Sequence, residues 1–297
     1  MRLYAISDLH LSFKGNRDAL SDLDPHIYLN DGLIICGDVG EKAEHLDLAF
    51  KTATATFKQV FWVPGNHELY TMHSDADGPK GEDRYMACVK VAREWNVKTP
   101  EDDFVIWEGD GGPCIIALIF TLYDYSFRPE HISREDAVKW AEEEGVLATD
   151  EILLHPHPYS TRDAWCEALC QRFENKLQDA MAKNPGIPTI LVNHWPLRQD
   201  LVKLWNIPRF SIWCGTIKTE QWHTKFNAKV VVSGHLHVRR TDWIDGVRFE
   251  ECSLGYPRQW KEAEKMGCDI NQFLREILPG PAVPEGGIAP TVWRRFG

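Results

Sequence analysis

Metal-ligating side chains follow five apolar runs of this sequence, each at the point where the run ends. A mixture of imidazole, carboxylate and amide donors suits Zn, Mn, Fe or Co better than Ca or Mg. Seven donors are too many for one tetrahedral ion, and they suit two ions that share a bridging carboxylate. The seven are Asp8, His10, Asp38, Asn66, His194, His235 and His237.

A site of this kind predicts chemistry at phosphorus. Two metal ions about 3.5–4 Å apart stabilise both the attacking and the leaving oxygen of an in-line displacement. Two cations also lower the pKa of a bridging water, so that hydroxide forms near neutral pH and attacks the phosphorus atom. We therefore predict metal-dependent hydrolysis of a small phosphate ester by a hydroxide that bridges two metals, with no Ser or Cys nucleophile.

The seven donors need a scaffold that brings the ends of five apolar runs together. The carboxyl ends of strands in an open α/β sheet form one crevice, where ligands bind. Asp38 follows Asp8 by 30 residues and Asn66 follows Asp38 by 28, each about one βαβ repeat. Alternation along an extended chain would place Asp8 and His10 on one side, and likewise His235 and His237.

Eight apolar, β-branched runs predict strands, and helical patterns lie between the first three of them. This alternation predicts an α/β layered fold. The stretch WEGDGGPCII predicts a β-hairpin with a Gly-rich turn, so part of the sheet should be antiparallel. The runs are RLYAIS, GLIICGD, QVFWVPG, FVIWEG, PCIIALIF, PTILVNH, AKVVVSGH and GVRFEECS.

Two segments depart from this rhythm within what we interpret as a single domain, 1–297. Residues 128–187 carry acidic helical patterns and none of the seven donors, which predicts a helical cap insertion between two core strands. Residues 257–297 become rich in Pro and Gly towards their end, as in ILPGPAVPEGG, which predicts an irregular C-terminal tail.

The order of the motifs resembles that of the calcineurin-like metallophosphoesterase superfamily. The matching stretches are SDLH, GDVG, GNHE, NH and GHLH, and they extend from residue 8 to residue 237. The resemblance implies a four-layer α/β/β/α sandwich with two mixed β-sheets. It also implies two divalent transition-metal ions (Mn, Fe or Zn). One ion would be held by Asp8, His10 and His237, the other by Asn66, His194 and His235, and Asp38 would bridge them.

His67 has a different role in this resemblance. It matches the histidine that faces the substrate phosphate and stabilises or protonates the leaving oxygen, so His67 is the predicted catalytic residue. Glu68, its neighbour, is expected to orient the backbone or His67 itself. No substrate-binding residue is predicted from the sequence.

The substrate stays open between a phosphomonoester and a phosphodiester. Protein Ser/Thr phosphatases of the superfamily follow the second motif with an aspartate and an arginine, and GDVGEK has neither. A small phosphorylated substrate is therefore favoured. The alternatives are a nuclease-type phosphodiesterase and a catalytically idle metal-binding scaffold of the same fold, although a scaffold would not need His67.

Composition narrows the partners and the compartment. The formal net charge of −11 disfavours nucleic acid as a partner. The sequence has neither a secretory signal nor an apolar run of about 20 residues, so we expect a cytoplasmic protein without membrane contact. Cys166 and Cys170 have helical spacing and could pair on zinc, but a place in the core is favoured for them and no disulfide framework is expected.

Overall fold

Two mixed β-sheets face each other in the computed structural model, which describes residues 1–296. Four strands form the first sheet and seven form the second. The strands are β1 (Leu3–Ile6), β2 (Gly32–Ile35), β3 (Gln59–Trp62), β4 (Val105–Trp107), β5 (Cys114–Leu118), β6 (Thr189–Val192), β7 (Ala228–Ser233), β8 (Arg240–Ile244), β9 (Val247–Glu251), β10 (Arg275–Leu278) and β11 (Ala289–Trp293).

Helices cover the outer faces of both sheets. The α-helices are α1 (Lys14–Leu20), α2 (Ala43–Thr56), α3 (Gly81–Glu94), α4 (Ala137–Glu142), α5 (Asp150–Leu153), α6 (Arg162–Lys183), α7 (Trp222–Lys225) and α8 (Pro257–Glu264).

The ligand-bearing strands are parallel within each sheet. The first sheet has the order β10-β1-β2-β3, in which β1, β2 and β3 are parallel and β10 is antiparallel to β1. The second has the order β11-β8-β9-β7-β6-β5-β4, with β5, β6, β7 and β9 parallel. The carboxyl ends of β1 to β3 and of β6 and β7 can therefore meet at one edge.

Alternation of buried side chains divides the core into layers. Ile34 points between the sheets, where it packs in one cluster with Ile116 and Val232 of the opposite sheet. Its neighbours Leu33 and Ile35 belong to the other large cluster, which includes the apolar residues of α2 and α6. Because successive side chains of a strand point to opposite faces, each sheet packs against apolar residues on both of its faces. This is the predicted α/β/β/α sandwich, and the predicted fold class is confirmed.

All eight predicted strand runs contain a strand, and the predicted hairpin is formed by antiparallel β4 and β5. The sequence analysis missed β8, because its residues, RTDWI, carry three polar side chains that still become buried. Thr241 and Asp242 hydrogen-bond Glu250 and Thr291, so their polar groups are satisfied within the sheet.

The irregular tail predicted for residues 257–297 is wrong. This segment forms α8, adds β10 to the first sheet beside β1, and adds β11 to the edge of the second. Ile277 and Leu278 are fully buried, so β10 completes the core. β10 has only four residues, too few to show the alternating pattern of a strand among the Pro and Gly residues around it.

The helices expected within 128–187 are α4, α5 and α6. The longest, α6, starts at an N-cap where Thr161 accepts from the Ala164 N–H at 3.1 Å. Trp165 on α6 meets Phe120 edge to face, and Phe120 stacks on Trp195. Cys166 and Cys170 are buried in this same layer, as favoured from the sequence.

None of the helices in the described part of the chain is long and apolar enough to cross a bilayer.

Candidate metal centre

The predicted ligands lie in the loops that follow five strands. Within residues 1–296, each of these loops begins at the carboxyl end of its strand, and their side chains converge on one point between the two sheets. The strands and their loops are β1 (Asp8, His10), β2 (Asp38), β3 (Asn66), β6 (His194) and β7 (His235, His237).

Left-handed backbone aims the side chains. The φ angles of five of these residues are positive, a region that residues other than Gly adopt uncommonly and at a cost of about 1–3 kcal/mol each. Asp8 and His10 do not alternate along an extended strand as predicted; β1 ends at Ile6, and two left-handed turns bring both side chains to one side. The angles are Asp8 54°, His10 41°, Asp38 52°, His235 71° and His237 55°.

Hydrogen bonds between backbone groups hold these turns. The Asp8 N–H donates to the Gly37 carbonyl at 3.0 Å, and the His10 N–H donates to the Asp38 carbonyl at 2.9 Å. Two neighbouring loops therefore fix each other, which lets each hold a backbone conformation that it would not adopt alone.

The first group of donors consists of Asp8, His10 and His237, whose ligand atoms lie within 4.8 Å of one another. His237 Nε2 lies 2.9 Å from Asp8 Oδ1 and 3.1 Å from His10 Nε2. On the far side of its ring, His237 Nδ1 lies 2.9 Å from Gln259 Oε1, so a proton on Nδ1 would leave the Nε2 lone pair facing the group. Asp8 is held in turn by Ser253 Oγ, at 2.6 Å from Oδ2.

The second group consists of Asp38, His194 and His235, again within 4.8 Å of one another. His194 Nδ1 lies 2.8 Å from the Cys36 carbonyl, which leaves Nε2 directed at Asp38 Oδ1, 3.5 Å away. Asn66 Oδ1 faces His235 Nδ1 at 3.2 Å. All seven predicted residues are thus brought together.

Asp38 stands between the two groups. Its Oδ2 lies 3.9 Å from His10 Nε2, while its Oδ1 faces His194 of the other group. One carboxylate therefore presents one oxygen to each side, as a bridging ligand must.

The charge states suit a cation. Burial lowers the pKa of His10 and of His235 to about 3, so both imidazoles are neutral and offer lone pairs. Burial also opposes a charge on His194, but Asp38 overcomes this and raises the pKa of His194 to about 10, so a proton balances Asp38 and would be released when a cation binds. Among the described residues, the buried His194 Nε2 has no hydrogen-bond partner. A divalent metal would satisfy this nitrogen and the carboxylates of Asp8 and Asp38. The residues therefore fit the ions that the sequence motifs imply.

His67 lies beside the two groups with its ring more open to the pocket. Its Nδ1 lies 2.8 Å from Glu41 Oε1, and its Nε2 lies 3.8 Å from Asp38 Oδ2. Burial works to lower the pKa of His67, but Asp38 and Glu41 raise it to about 9. Sequence reasoning missed Glu41, although its position three residues after Asp38 in GDVGEK was a usable signal.

Glu68 orients backbone, which is one of the two roles expected of it. Its carboxylate accepts from the N–H groups of Asp38 at 3.1 Å, Val39 at 2.7 Å and Gly65 at 2.9 Å. It therefore ties the loop after β2 to the loop after β3. Burial, followed by repulsion from Asp38, raises the pKa of Glu68 to about 7.

Asn66 is oriented by a residue from the 128–187 segment. Its Nδ2 donates to Asp150 Oδ1 at 3.0 Å and to the Tyr70 hydroxyl oxygen at 2.9 Å, so its Oδ1 must face His235. Tyr70 also donates to Asp150 Oδ1, at 2.6 Å. Asp150 is buried at the start of α5, where nothing in the sequence pattern connected it with the motifs.

Asp150→Ala is expected to weaken metal binding on the Asn66 side by about 10–100-fold, the usual effect of losing a residue that orients a ligand. The Asn66 amide would lose an acceptor and could rotate. Asp150→Asn keeps an oxygen acceptor and should restore most of the affinity.

Metal titration followed by calorimetry measures this effect. Ile152→Ala on the same short helix is the matched control, because Ile152 is 57% exposed. Equal metal affinity in Asp150→Ala and the control would show that Asp150 does not position Asn66.

A pocket of about 290 Å³ opens beside the donors. Asp38, Asn66, His67, His235 and His237 form its floor. Leu204, Ile207 and Phe210 line one wall, where Phe210 stacks on His235 and Leu236 lies at the base. Tyr256, Arg258 and Gln259 line the other wall, where Tyr256 stacks on His10.

The pocket walls lie outside the segment that was expected to cap the site. Among the described residues that line the pocket, none lies within 128–187. Trp165 of α6 instead packs edge to face against Phe120 in the core. A direct capping role for this segment stays a prediction.

The fold and this site define a dinuclear-type metallophosphoesterase. A sequence model of the family described as calcineurin-like phosphoesterase matches residues 1–239, and the chain belongs to that family. The family uses a dinuclear metal centre, and the chain is an enzyme that hydrolyses phosphate ester bonds.

Two comparisons point to a more particular relative. The chain is 44% identical over 285 residues to the [acyl-carrier-protein] phosphodiesterase PptH of Mycobacterium tuberculosis, a match that covers 96% of this chain and 85% of the relative. The crystal structure of phosphopantetheinyl hydrolase from M. tuberculosis superposes with a TM-score of 0.86 at 43% identity, covering 94% of this chain and 96% of that one.

Proposed function

We propose that this enzyme is a phosphodiesterase that releases phosphopantetheine from an acyl-carrier protein. The observation that carries this proposal is the 44% identity to a relative named for that substrate, over 96% of this chain. The match continues past residue 239, where the family match ends, so it takes in the wall at 256–259 as well as the motifs.

The pocket supports a diester over a monoester. A diester carries one negative charge and two organic groups, whereas a monoester carries up to two charges. Among the described lining residues, Arg258 supplies the one permanent positive charge, and three apolar side chains stand opposite it. The pocket is also near the lower end of the volume of small-molecule sites, about 300–1,000 Å³. A linear group can enter it while a folded carrier protein stays outside.

For the metals we propose the ligand sets that the motifs implied. Asp8, His10 and His237 would hold one ion, Asn66, His194 and His235 the other, and Asp38 both. The two groups of donors within 4.8 Å support this division. The mixture of nitrogen and oxygen ligands favours Mn, Fe or Zn. When bound, such ions supply Lewis acidity and activate water for attack on phosphorus.

His67 is the proposed general acid. Attack of water on phosphorus breaks the P–O bond to the carrier protein, and His67 Nε2 would give its proton to the leaving oxygen. Glu41 would accept from Nδ1–H and hold the ring in place, which the 2.8 Å separation supports. The products are phosphopantetheine and the carrier protein with a free hydroxyl.

We also propose a reducing, cytoplasmic location. All eight cysteines of the described chain are free thiols, which suits a compartment where disulfides do not persist.

The test compares three substrates with the same enzyme and metal. We expect phosphopantetheinyl carrier protein to be converted to its unmodified form, seen by mass spectrometry, with kcat/KM at least about 10² above that for an aryl phosphomonoester. A small aryl phosphodiester should fall between them. A higher kcat/KM for the monoester, or an unchanged carrier protein, would contradict the proposal.

A further inference from the structure

One wall of the pocket is apolar and has no counterpart among the motifs. It is formed by Leu204, Ile207 and Phe210, which we call the apolar wall. Leu204 and Phe210 pack against a small buried cluster formed by Phe127, Cys214 and Leu236, which supports the wall from beneath.

The apolar wall begins at the metal centre and runs outwards. Phe210 stacks on His235, with ring centroids 5.9 Å apart and an angle of 27° between the planes. Ile207 is 44% exposed, and Trp205, in the same loop, is 79% exposed. A group attached to phosphate at the metals could therefore lie along Phe210 and Ile207 towards Trp205.

Ion pairs hold the wall in position. Arg209 donates to the Trp140 carbonyl, and it pairs with Glu143 at 3.2 Å and with Glu144 at 2.8 Å. Its guanidinium also lies over the Trp140 ring, 4.7 Å from the centroid. The charge of Arg209 is thus turned away from the pocket and towards α4, which leaves the wall uncharged.

The opposite wall differs in chemistry. Tyr256 stacks on His10 at 4.5 Å, and Gln259 contacts His237. Arg258 is exposed, with its guanidinium 5.7 Å from the centroid of the Tyr256 ring. The two sides of the pocket therefore suit two different groups of an asymmetric diester: an uncharged chain on one side and a polar or charged group on the other.

We infer that the apolar wall is the binding site for the uncharged linear amide chain of the substrate, the pantetheine arm. This inference rests on the proposed function for the identity of the chain. The carrier protein is then left to the side of Tyr256 and Arg258. The wall selects the arm by removing its methylene and methyl groups from water, while the amides of the arm remain at the open mouth.

The test uses pantetheine itself, which has no phosphate, as a dead-end inhibitor. The reporter reaction is the hydrolysis of methyl p-nitrophenyl phosphate, a diester whose methyl arm is too short to follow the wall. Pantetheine should inhibit the wild-type holoenzyme competitively.

Ile207→Ser should raise the inhibition constant of pantetheine about tenfold, the low end for loss of one apolar contact in a pocket. The KM of the reporter should change less than the inhibition constant of pantetheine, since its methyl group is too short to follow the wall. Ile288→Ser is the matched control, because Ile288 is 71% exposed and lies outside the pocket lining. Reporter turnover shows whether each variant is folded. If Ile207→Ser is not folded, Ile207→Ala is used in its place.

An unchanged inhibition constant in Ile207→Ser, an equal rise in Ile288→Ser, or no inhibition of the wild type by pantetheine would each overturn the inference. Turnover of phosphopantetheinyl carrier protein is measured separately. If the carrier is cleaved while pantetheine binding ignores Ile207, the proposed function stands and the inference fails. If pantetheine binds at Ile207 and the carrier is not cleaved, the inference about the wall stands and the proposed function fails.

Discussion

Asp38→Asn is expected to lower kcat/KM by on the order of 10³ or more, because it weakens both metal positions at once. Asp38 directs Oδ1 at His194 and Oδ2 at His10, so it touches both groups of donors. The amide keeps the size of the side chain but removes the charge and one acceptor. Metal content by elemental analysis and turnover of an aryl phosphodiester should fall together.

Asn66→Ala is the matched comparison for Asp38→Asn. Asn66 faces His235 on one side of the site, so its loss should mainly empty one position and leave about one ion per chain. If Asp38→Asn keeps the metal content and turnover of the wild type, Asp38 does not bridge.

His67→Ala is expected to retain the metals and to lose rate by on the order of 10²–10⁴, the contribution of a general acid. His67 Nδ1 contacts Glu41, and its Nε2 faces the pocket, as a proton donor should. The ring also lies within 4.8 Å of the donor atoms of His10 and Asp38. Metal analysis of the variant therefore separates a ligand from an acid.

The leaving group supplies a second readout for His67. A nitrophenolate leaves without protonation, so His67→Ala should slow an aryl diester far less than an alkyl diester such as the phosphopantetheinyl carrier protein. Glu41→Gln should show the same pattern in weaker form, because Glu41 orients the ring and raises the pKa of His67 but does not itself donate the proton. An equal loss with good and poor leaving groups would assign His67 to binding or charge stabilisation.

The ligand cluster could be predicted because each donor stands at a fixed place relative to an apolar run. Topology then brings the ends of β1, β2, β3, β6 and β7 together, and this needs no knowledge of long-range side-chain contacts. The backbone conformations that orient these side chains could not be predicted from the sequence in the same way. Left-handed φ at Asp8 and His10 depends on hydrogen bonds to the next loop, at Gly37 and Asp38.

Contacts between distant segments account for most of what sequence reasoning missed. Asp150 reaches Asn66 across 84 residues, and Gln259 reaches His237 from the far side of β9. Neither has a neighbour in sequence that marks it as part of the site. The pocket walls are also unmarked, because Leu204 and Ile207 are ordinary apolar residues until the fold places them beside the ligand cluster.

Edge strands were missed for a related reason. β10 and β11 are four and five residues long, too short for a clear strand pattern in the sequence. They form strands because they pair with β1 and β8. Buried charges within this region are paired: Glu250 meets Arg275 at 2.7 Å and Arg294 at 2.6 Å. A polar strand is stable there because its partners come from the C-terminal segment.

Metal stoichiometry tests the central claim most directly. Purified protein, stripped by a chelator and reconstituted with Mn, is analysed for metal per chain and assayed on an aryl phosphodiester. We predict about two ions per chain, loss of turnover on chelation, and recovery only as the second ion is bound. One ion or fewer at full activity, or turnover that survives chelation, would contradict a dinuclear phosphoesterase.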